Sequence, residues 1–514
     1  MQRNNVIVIM SDEHDPRFMG CAGHPFIQTP HLDALAARGV RFPQAYTPSP
    51  ICVPARAAFA TGYRVHQTRH WDNASPYSGT PRSWGHVLQD AGIRVDSIGK
   101  LHYRSEADAA GFDQEHLPMQ VDGGYGMVWA SIRDPYIPMA EGKRMLGEHI
   151  GPGESSYTAY DRAVTSRAID WLTGAAERAV PFVLYVGLVA PHFPLTAPRE
   201  FFDLYPASRV PEAKLHPSTG YQRHPWVEAY ANFSRDEERF RSEEERLDAF
   251  RAYYGLCSFL DHNVGQIVGA LDRLGLTGNT HVIYTADHGD NVGARGLWGK
   301  STLYQESVRV PMLLAGPGVT PGVCETPVDL LDLFPTILDG AGLRPDAEMA
   351  GRPGRSLFAV ATSPADRERV ILSEYHAAGS NTAGFMLRQG RWKYHYYVGF
   401  RPELFDLESD PEERHDLATD PAFAPVLQTL EGVLRGLCLR GSGFLAHEEA
   451  NHHDHSHDQQ ADHHHVGQAF AETEVRGQRS RCRCRCRPRN PPGSVRCSAP
   501  CGGGCSRAGC RHSR

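Results

Sequence analysis

Three stretches of the chain read as strands with no polar face. Asn5–Met10 is apolar after its first residue and stops at Ser11-Asp12-Glu13. Phe182–Val189 is apolar throughout and stops at Ala190-Pro191-His192. His281–Thr285 is followed by Ala286-Asp287-His288-Gly289. Such runs predict strands of a parallel sheet buried on both faces. Between them the spacing turns helical: His31–Arg38 before Gly39, residues 83–91 before Gly92, Thr158–Leu172, and Glu243–Leu274 before Gly275. Arg94–Ile98 and Val310–Ala315 add strands, and Val328–Leu338 reads as a helix. The alternation predicts an α/β fold with helices on both faces of a sheet. Past residue 365 the pattern changes. Val370–Tyr375, Gly384–Arg388 and Trp392–Val398 read as antiparallel strands, and Pro421–Leu439 as a closing helix. The division expected is an α/β domain over 1–365, a smaller α+β subdomain over 366–447, and a tail over 448–514.

Composition narrows the class. No apolar run in the 514 residues approaches the ~18 needed to span a bilayer. The N-terminus offers five consecutive apolar residues and no small-residue cleavage site, which disfavours secretion and leaves the cytoplasm as the expected compartment. The net charge of −7 is uneven: residues 476–514 hold eleven arginines and no acid, so the rest of the chain carries −18. An acidic body argues against a nucleic-acid partner. Five cysteines are scattered over that body and seven crowd the tail, which is no disulfide framework. The tail opens with a histidine tract, His452 to His465, and continues with an Arg/Cys/Pro/Gly segment lacking paired zinc knuckles. Neither part has a periodicity that can bury a core, so the tail reads as a solvated, unselected extension, with metal delivery the alternative for the histidines.

Asp12, His192 and Asp287-His288 all follow predicted strands, where open parallel sheets place ligands. Residues 50–62 read PICVPARAAFATG. Pro54 favours a first helical turn, so Cys52 falls at the head of a helix, where free N–H groups and the dipole attract anions. Arg56, one turn on, can hold a charged or oxygen-bearing group at position 52. A buried structural cysteine or a plain reactive thiolate are the other readings of Cys52.

Cys52-Val53-Pro54-Ala55-Arg56, with Thr61-Gly62 following, resembles the type I sulfatase signature C-x-P-x-R. Gly92 to His102 (GIRVDSIGKLH) resembles the second motif of that family, G-x-x-x-x-x-x-G-K-x-H, with Ile93 where tyrosine is usual. The resemblance runs over about residues 4–440 and is nearest to the choline sulfatase and phosphonate monoester hydrolase branch. It implies the alkaline phosphatase superfamily fold, a large mixed sheet sandwiched by helices with a smaller C-terminal α+β subdomain.

The resemblance also implies a site. Asp12 and Asp287 resemble the carboxylate ligands of a divalent cation, Ca²⁺ foremost, with Mg²⁺ as an alternative. His288 stands where many arylsulfatases carry asparagine, and its softer imidazole brings Mn²⁺ into range. Glu13 occupies a position that is Asp or Gln in relatives, and Cys52 completes the candidate ligands. In the family the cysteine becomes Cα-formylglycine through a formylglycine-generating enzyme, and its hydrate supplies the attacking oxygen. Lys100, His102, His192 and Lys300 resemble the basic residues around the sulfate. His192 and Lys300 would assist the leaving oxygen, and His102 would accept a proton. Asn73, within His70–Ala74, resembles a sulfate-contacting asparagine.

The activity expected is hydrolysis of an alkyl or aryl sulfate ester, choline sulfate among the candidates. Trp71, Tyr125, Trp129 and Tyr136 can build a cage for a quaternary ammonium or serve as packing; Trp129 is the aromatic candidate for a substrate contact. A phosphonate monoester or phosphodiester hydrolase on the same site is the alternative. A metal-binding protein with a decayed site is the non-enzymatic one. The sequence leaves the oligomeric state open, a homo-oligomer included.

Overall fold

The computed structural model describes residues 3–126, 144–178, 180–344 and 349–441. The 448–514 tail lies outside the described residues, as do Trp129 and Tyr136.

The body is an eight-stranded mixed sheet between two helical layers, followed by a four-stranded antiparallel sheet. The large sheet comprises β1 (Asn5–Asp12), β2 (Gly39–Arg41), β3 (Arg94–Lys100), β4 (Gln114–Met119), β5 (Phe182–Pro191), β6 (Thr280–Ala286), β7 (Met312–Ala315) and β8 (Gly322–Val323). Its order is β8-β2-β7-β6-β1-β5-β3-β4. β1 is parallel to both neighbours, with Val8 opposite Tyr185 on one side and Ile283 on the other. β7 is antiparallel to β6, which makes the sheet mixed.

The unbroken apolar runs follow from burial on both sides. Val6, Val8 and Met10 face a core with Phe59, Trp84, Phe334 and Ile337, while Ile7 and Ile9 face Leu172, Phe259, Leu260 and Ile267. The helices supplying these layers include α1 (Pro30–Ala37), α2 (Cys52–Thr61), α3 (Ser156–Arg178), α4 (Glu243–Arg273) and α6 (Leu333–Gly340); a short α5 (Gln305–Val308) precedes α6. Each fully buried aliphatic side chain contributes about 1.5–3 kcal/mol.

Some boundaries differ from the sequence expectation. The helix expected over Val328–Leu338 starts at Leu333. Val328–Asp329 instead pairs with Ala45–Tyr46, and Asp329 Oδ1 accepts the Leu331 N–H at 3.0 Å to begin a tight turn. β4 has a mixed exposure pattern and carries no periodic signal. Past residue 370 come β9 (Ile371–Tyr375), β10 (Gly384–Gln389), β11 (Trp392–Tyr397) and an additional β12 (Glu403–Asp406), all antiparallel. One face of this sheet is covered by α7 (Ala424–Gly441), through Leu430 and Leu434. The other packs Tyr375, Met386 and Tyr397 against Ile51, Trp226, Leu303 and Tyr304.

A buried ionic lattice joins the segment after β1 to α5 and the small sheet. Arg17 pairs with Asp15 and, at 3.5 Å, with Glu306, which also meets Lys214 and Arg295. Arg295 donates to the Glu413 carbonyl at 2.9 Å, and Glu413 holds Lys393 of β11 at 2.5 Å.

Candidate active site

Parallel pairing gathers the C-terminal ends of β1, β3, β5 and β6 on one edge of the sheet. Asp12, Lys100, His192 and Asp287 stand there. The register shifts between Met10 and Asp12 and between Ile98 and Lys100, which re-aims the terminal side chains. Glu13, His102 and Ser301 all hold left-handed backbone (φ 69, 59 and 79°) around this edge, conformations the surroundings must impose on non-glycine residues.

Cys52 opens α2, as expected, with Ile51 extended before it and offering no side-chain cap of its own. Its Sγ lies 3.3 Å from His288 Nε2, 3.4 Å from Lys300 Nζ and 3.7 Å from Asp12 Oδ1. Arg56 faces the two acids beside it. Its Nε donates to Asp287 Oδ2 at 2.8 Å, Nη2 to Asp12 Oδ2 at 3.2 Å, and Nη1 to the Lys100 carbonyl at 2.9 Å and Tyr185 Oη at 3.0 Å. Lys100 Nζ meets Asp12 Oδ2 at 2.5 Å. Lys300 Nζ meets Glu13 Oε2 at 3.2 Å, and His192 Nε2 lies 3.4 Å from the same oxygen.

These residues fit a divalent cation. The donor atoms of Asp12, Cys52, Asp287 and His288 lie within 4.8 Å of one another, and so do those of Asp12, Glu13 and His192. His288 Nδ1–H donates to the Gly289 carbonyl at 3.0 Å, which leaves Nε2 as a lone pair aimed at the centre, the usual device of a metal-binding imidazole. Glu13 Oε1 is buried and has no hydrogen-bond partner. Burial, opposed by Lys300 and reinforced by Asp290, pushes Glu13 up to about 8.

The chain matches the sulfatase family model over residues 4–343, and the model described as N-sulphoglucosamine sulphohydrolase, C-terminal, over residues 293–438. This chain belongs to the sulfatase family. Among the sulfatase's relatives, the choline-sulfatase of Rhizobium meliloti (strain 1021) is 33% identical over 432 residues, spanning 81% of this chain and 83% of that one. Arylsulfatase K of Mus musculus is 30% identical over 461 residues, 85% of this chain and 79% of its own. The solved phosphonate monoester hydrolase from Silicibacter pomeroyi superposes with a TM-score of 0.69 at 25% identity, covering 85% of this chain and 96% of that one. The sulfatase is a sulfuric ester hydrolase with the mixed-sheet fold and small antiparallel C-terminal sheet of this family.

Above Cys52 the sulfatase has a pocket of about 360 Å³. Lys100, His102, His192, Lys300 and Asn73 all line it. Asn73 Oδ1 accepts the Val53 N–H at 3.3 Å, so it also caps the first turn of α2. The aromatic wall is Tyr157, Phe193, Tyr230 and Phe233. Trp71 instead packs edge-on against His376, 4.7 Å between ring centres, and Tyr125 is 71% exposed. Tyr230 and Phe233 carried no motif, and their packing against the small sheet brings them to the pocket, where His376 joins them.

Charge sets the protonation states. Burial opposes ionisation of Asp12, yet Lys100, with Lys300 and Arg56, holds it well below the usual carboxylate range. Burial and the Lys100 and Arg56 charges keep His102 neutral, well below the ordinary histidine value, and its Nδ1 has no partner. Burial and Lys300 do the same to His192. Burial, then Asp12, pushes the Cys52 thiol up to about 12, against Lys300 and Lys100. No described helix is long and apolar enough to cross a membrane.

Proposed function

We propose that this sulfatase cleaves an alkyl or aryl sulfate ester with formylglycine, made from Cys52, as nucleophile and one divalent cation, Ca²⁺ before Mn²⁺ or Mg²⁺. The observation that carries the reading is the placement of Cys52 Sγ at a helix head, 3.3 Å from His288 Nε2 and 3.4 Å from Lys300 Nζ, on the floor of a pocket lined by basic residues. When bound, the cation polarises the ester oxygens and the converted residue supplies the attacking oxygen.

The chain's own residues do the rest. Asp12, Glu13, Asp287 and His288 hold the cation beside position 52. Arg56 fixes Asp12 relative to Asp287. Lys100 and Lys300 neutralise the charge that grows on the sulfate oxygens, the largest effect available in a dry site. Neutral His102 accepts a proton, while His192 and Lys300 serve the leaving alcohol. Asn73 contacts the sulfate from the α2 cap. The wall of Tyr157, Phe193, Tyr230 and Phe233 accepts the alcohol portion, and choline sulfate, named by one relative, is a candidate for it. Maturation requires a formylglycine-generating enzyme. Five free thiols in the body accord with a cytoplasmic location.

Mass spectrometry of the tryptic peptide holding Cys52, paired with turnover of a panel of sulfate esters, tests the reading. The expected result is an aldehyde or its hydrate at position 52 and sulfate release faster than phosphodiester or phosphonate cleavage. Active protein carrying only an unmodified thiol would refute the nucleophile. Faster phosphonate or phosphodiester turnover would transfer the site to the alternative hydrolase.

A further inference from the structure

A second cleft, of about 560 Å³, opens between the edge of the large sheet and the C-terminal sheet. It shares no lining residue with the catalytic pocket. Five arginines line it: Arg41 on β2, Arg309 just past α5, Arg367, Arg388 on β10, and Arg391 in the turn before β11. Arg391 is neutralised by Asp406 and Glu408. Glu325, Glu368 and Glu408 also line the cleft. Even so, Arg41, Arg309, Arg367 and Arg388 form no ion pair among the described residues. They line one cleft in a body that is otherwise strongly acidic.

Arg388 is the telling residue. Four arginines are buried among the described residues: Arg56, Arg295, Arg369 and Arg388. Arg56 pairs with Asp12 and Asp287, Arg295 with Glu306, and Arg369 with Asp332. Arg388, only 5% exposed, has no carboxylate. Its Nη1 donates to the Arg367 carbonyl at 3.3 Å and its Nη2 to Gln44 Oε1, while Nε is buried without a partner. Arginine keeps its charge in proteins, so it cannot relieve the cost of burial by losing a proton. A buried charge without a counter-charge is strongly unfavourable, and the missing counter-charge has room beside it.

We propose that this cleft binds an oxyanion, a sulfate or phosphate group, clamped between the two sheets by Arg388, Arg309, Arg367 and Arg41. Planar guanidinium groups match the paired oxygens of such an anion. The bound anion supplies the charge that Arg388 lacks and ties β2 and the end of α5 to β10.

The test follows the melting temperature of the full chain against rising inorganic phosphate, with sodium chloride matching the ionic strength. Wild-type protein is expected to show a saturable rise. Phosphate can also enter the catalytic pocket, so two variants locate the effect. Arg309→Gln/Arg367→Gln, altered only at the cleft, is expected to need roughly tenfold more phosphate for half the rise. Lys300→Ala, altered only in the catalytic pocket, is expected to keep the response. In anion-free buffer Arg388→Met is expected to melt no lower than wild type, because it removes an uncompensated charge. A response unchanged in the double variant, abolished by Lys300→Ala, or absent from wild type overturns the site. So does a lower anion-free melting point for Arg388→Met, which would mean the fold already balances that charge. Inorganic sulfate and a sugar phosphate run beside free phosphate identify the source. Equal half-saturation supports a free ion, and tighter binding of the ester supports a larger ligand carrying the group.

Discussion

At the scale of single residues, Arg56 shows how this site depends on shape as well as charge. Four acceptors surround its guanidinium: two carboxylates from different strands, a backbone carbonyl and a phenol. A lysine there keeps the charge but, as a point donor on a flexible stem, cannot reach Asp12 and Asp287 together. Arg56→Lys is expected to lose about 3 kcal/mol of stability in denaturant melts. Its turnover is expected to fall about 10–100-fold, the usual effect of misplacing metal-binding carboxylates. Tyr185→Phe, which removes one hydrogen bond to the same group, is expected to lose only about 1 kcal/mol. Near-normal turnover by Arg56→Lys would mean that the two acids do not need this bridge. The sequence placed Arg56 one turn from Cys52 but not its partners, because which strand end a guanidinium reaches depends on sheet order. Asp12 and Asp287 were legible because each stands at the end of a buried strand, and Cys52 because a motif marks the head of its helix, whereas Lys300 sits in a glycine-rich loop and came only from the family resemblance. Tyr157, Tyr230 and Phe233 were not, since nothing local distinguishes a pocket aromatic from a core one.

At the scale of elements, β9 links the small sheet to the pocket. Glu374 on β9 accepts from His66 Nδ1 at 2.7 Å and from His376 Nε2 at 3.3 Å, and His376 forms part of the pocket wall. Burial works to raise the Glu374 carboxyl, but hydrogen bonds from His376 and His66 outweigh it and hold it at about 2. A carboxyl lowered in the folded state stabilises the protein above its unfolded value, and that stabilisation fades as pH falls through the folded one. The contribution, roughly 3 kcal/mol, is therefore complete above about pH 5 and lost between there and about pH 2. Glu374→Gln is expected to flatten the acid limb of a melting-temperature profile over that window and to lower stability at pH 7. An unchanged acid limb would mean that other carboxylates set it. The elements themselves divide by how strongly burial shaped their sequences. The central strands, apolar on both faces, were readable to within two residues. The edge strand β4 was not, since half-exposed pairing leaves no period to read, nor was β12, whose four buried residues set two apolar side chains between two acids over too short a span.

At the scale of the whole molecule, the cation and residues 448–514 give opposite expectations for activity. A cation held by buried acids stabilises the folded state by mass action, about 2.7 kcal/mol when its concentration is a hundredfold above its dissociation constant. Exhaustive chelation is thus expected to lower the melting temperature by several degrees and to abolish turnover, and separate return of Ca²⁺, Mn²⁺ or Mg²⁺ ranks the ions. The tail presents the opposite case. Both family models end by residue 438, and the C-terminal sheet is already covered by Leu430 and Leu434 of α7. Residues 448–514 carry seven of the twelve cysteines and the histidine tract but no apolar period, and removing them takes the formal charge from −7 to −11. A chain ending at residue 447 is expected to keep its melting temperature and its turnover at saturating metal. Metal delivery by the tract would show under one condition only: after chelation, with the cation returned at limiting concentration, the truncated chain would recover activity more slowly than the full one. Equal recovery leaves the tail without a part in loading the site, and a fall in turnover at saturating metal would place it within the catalytic unit.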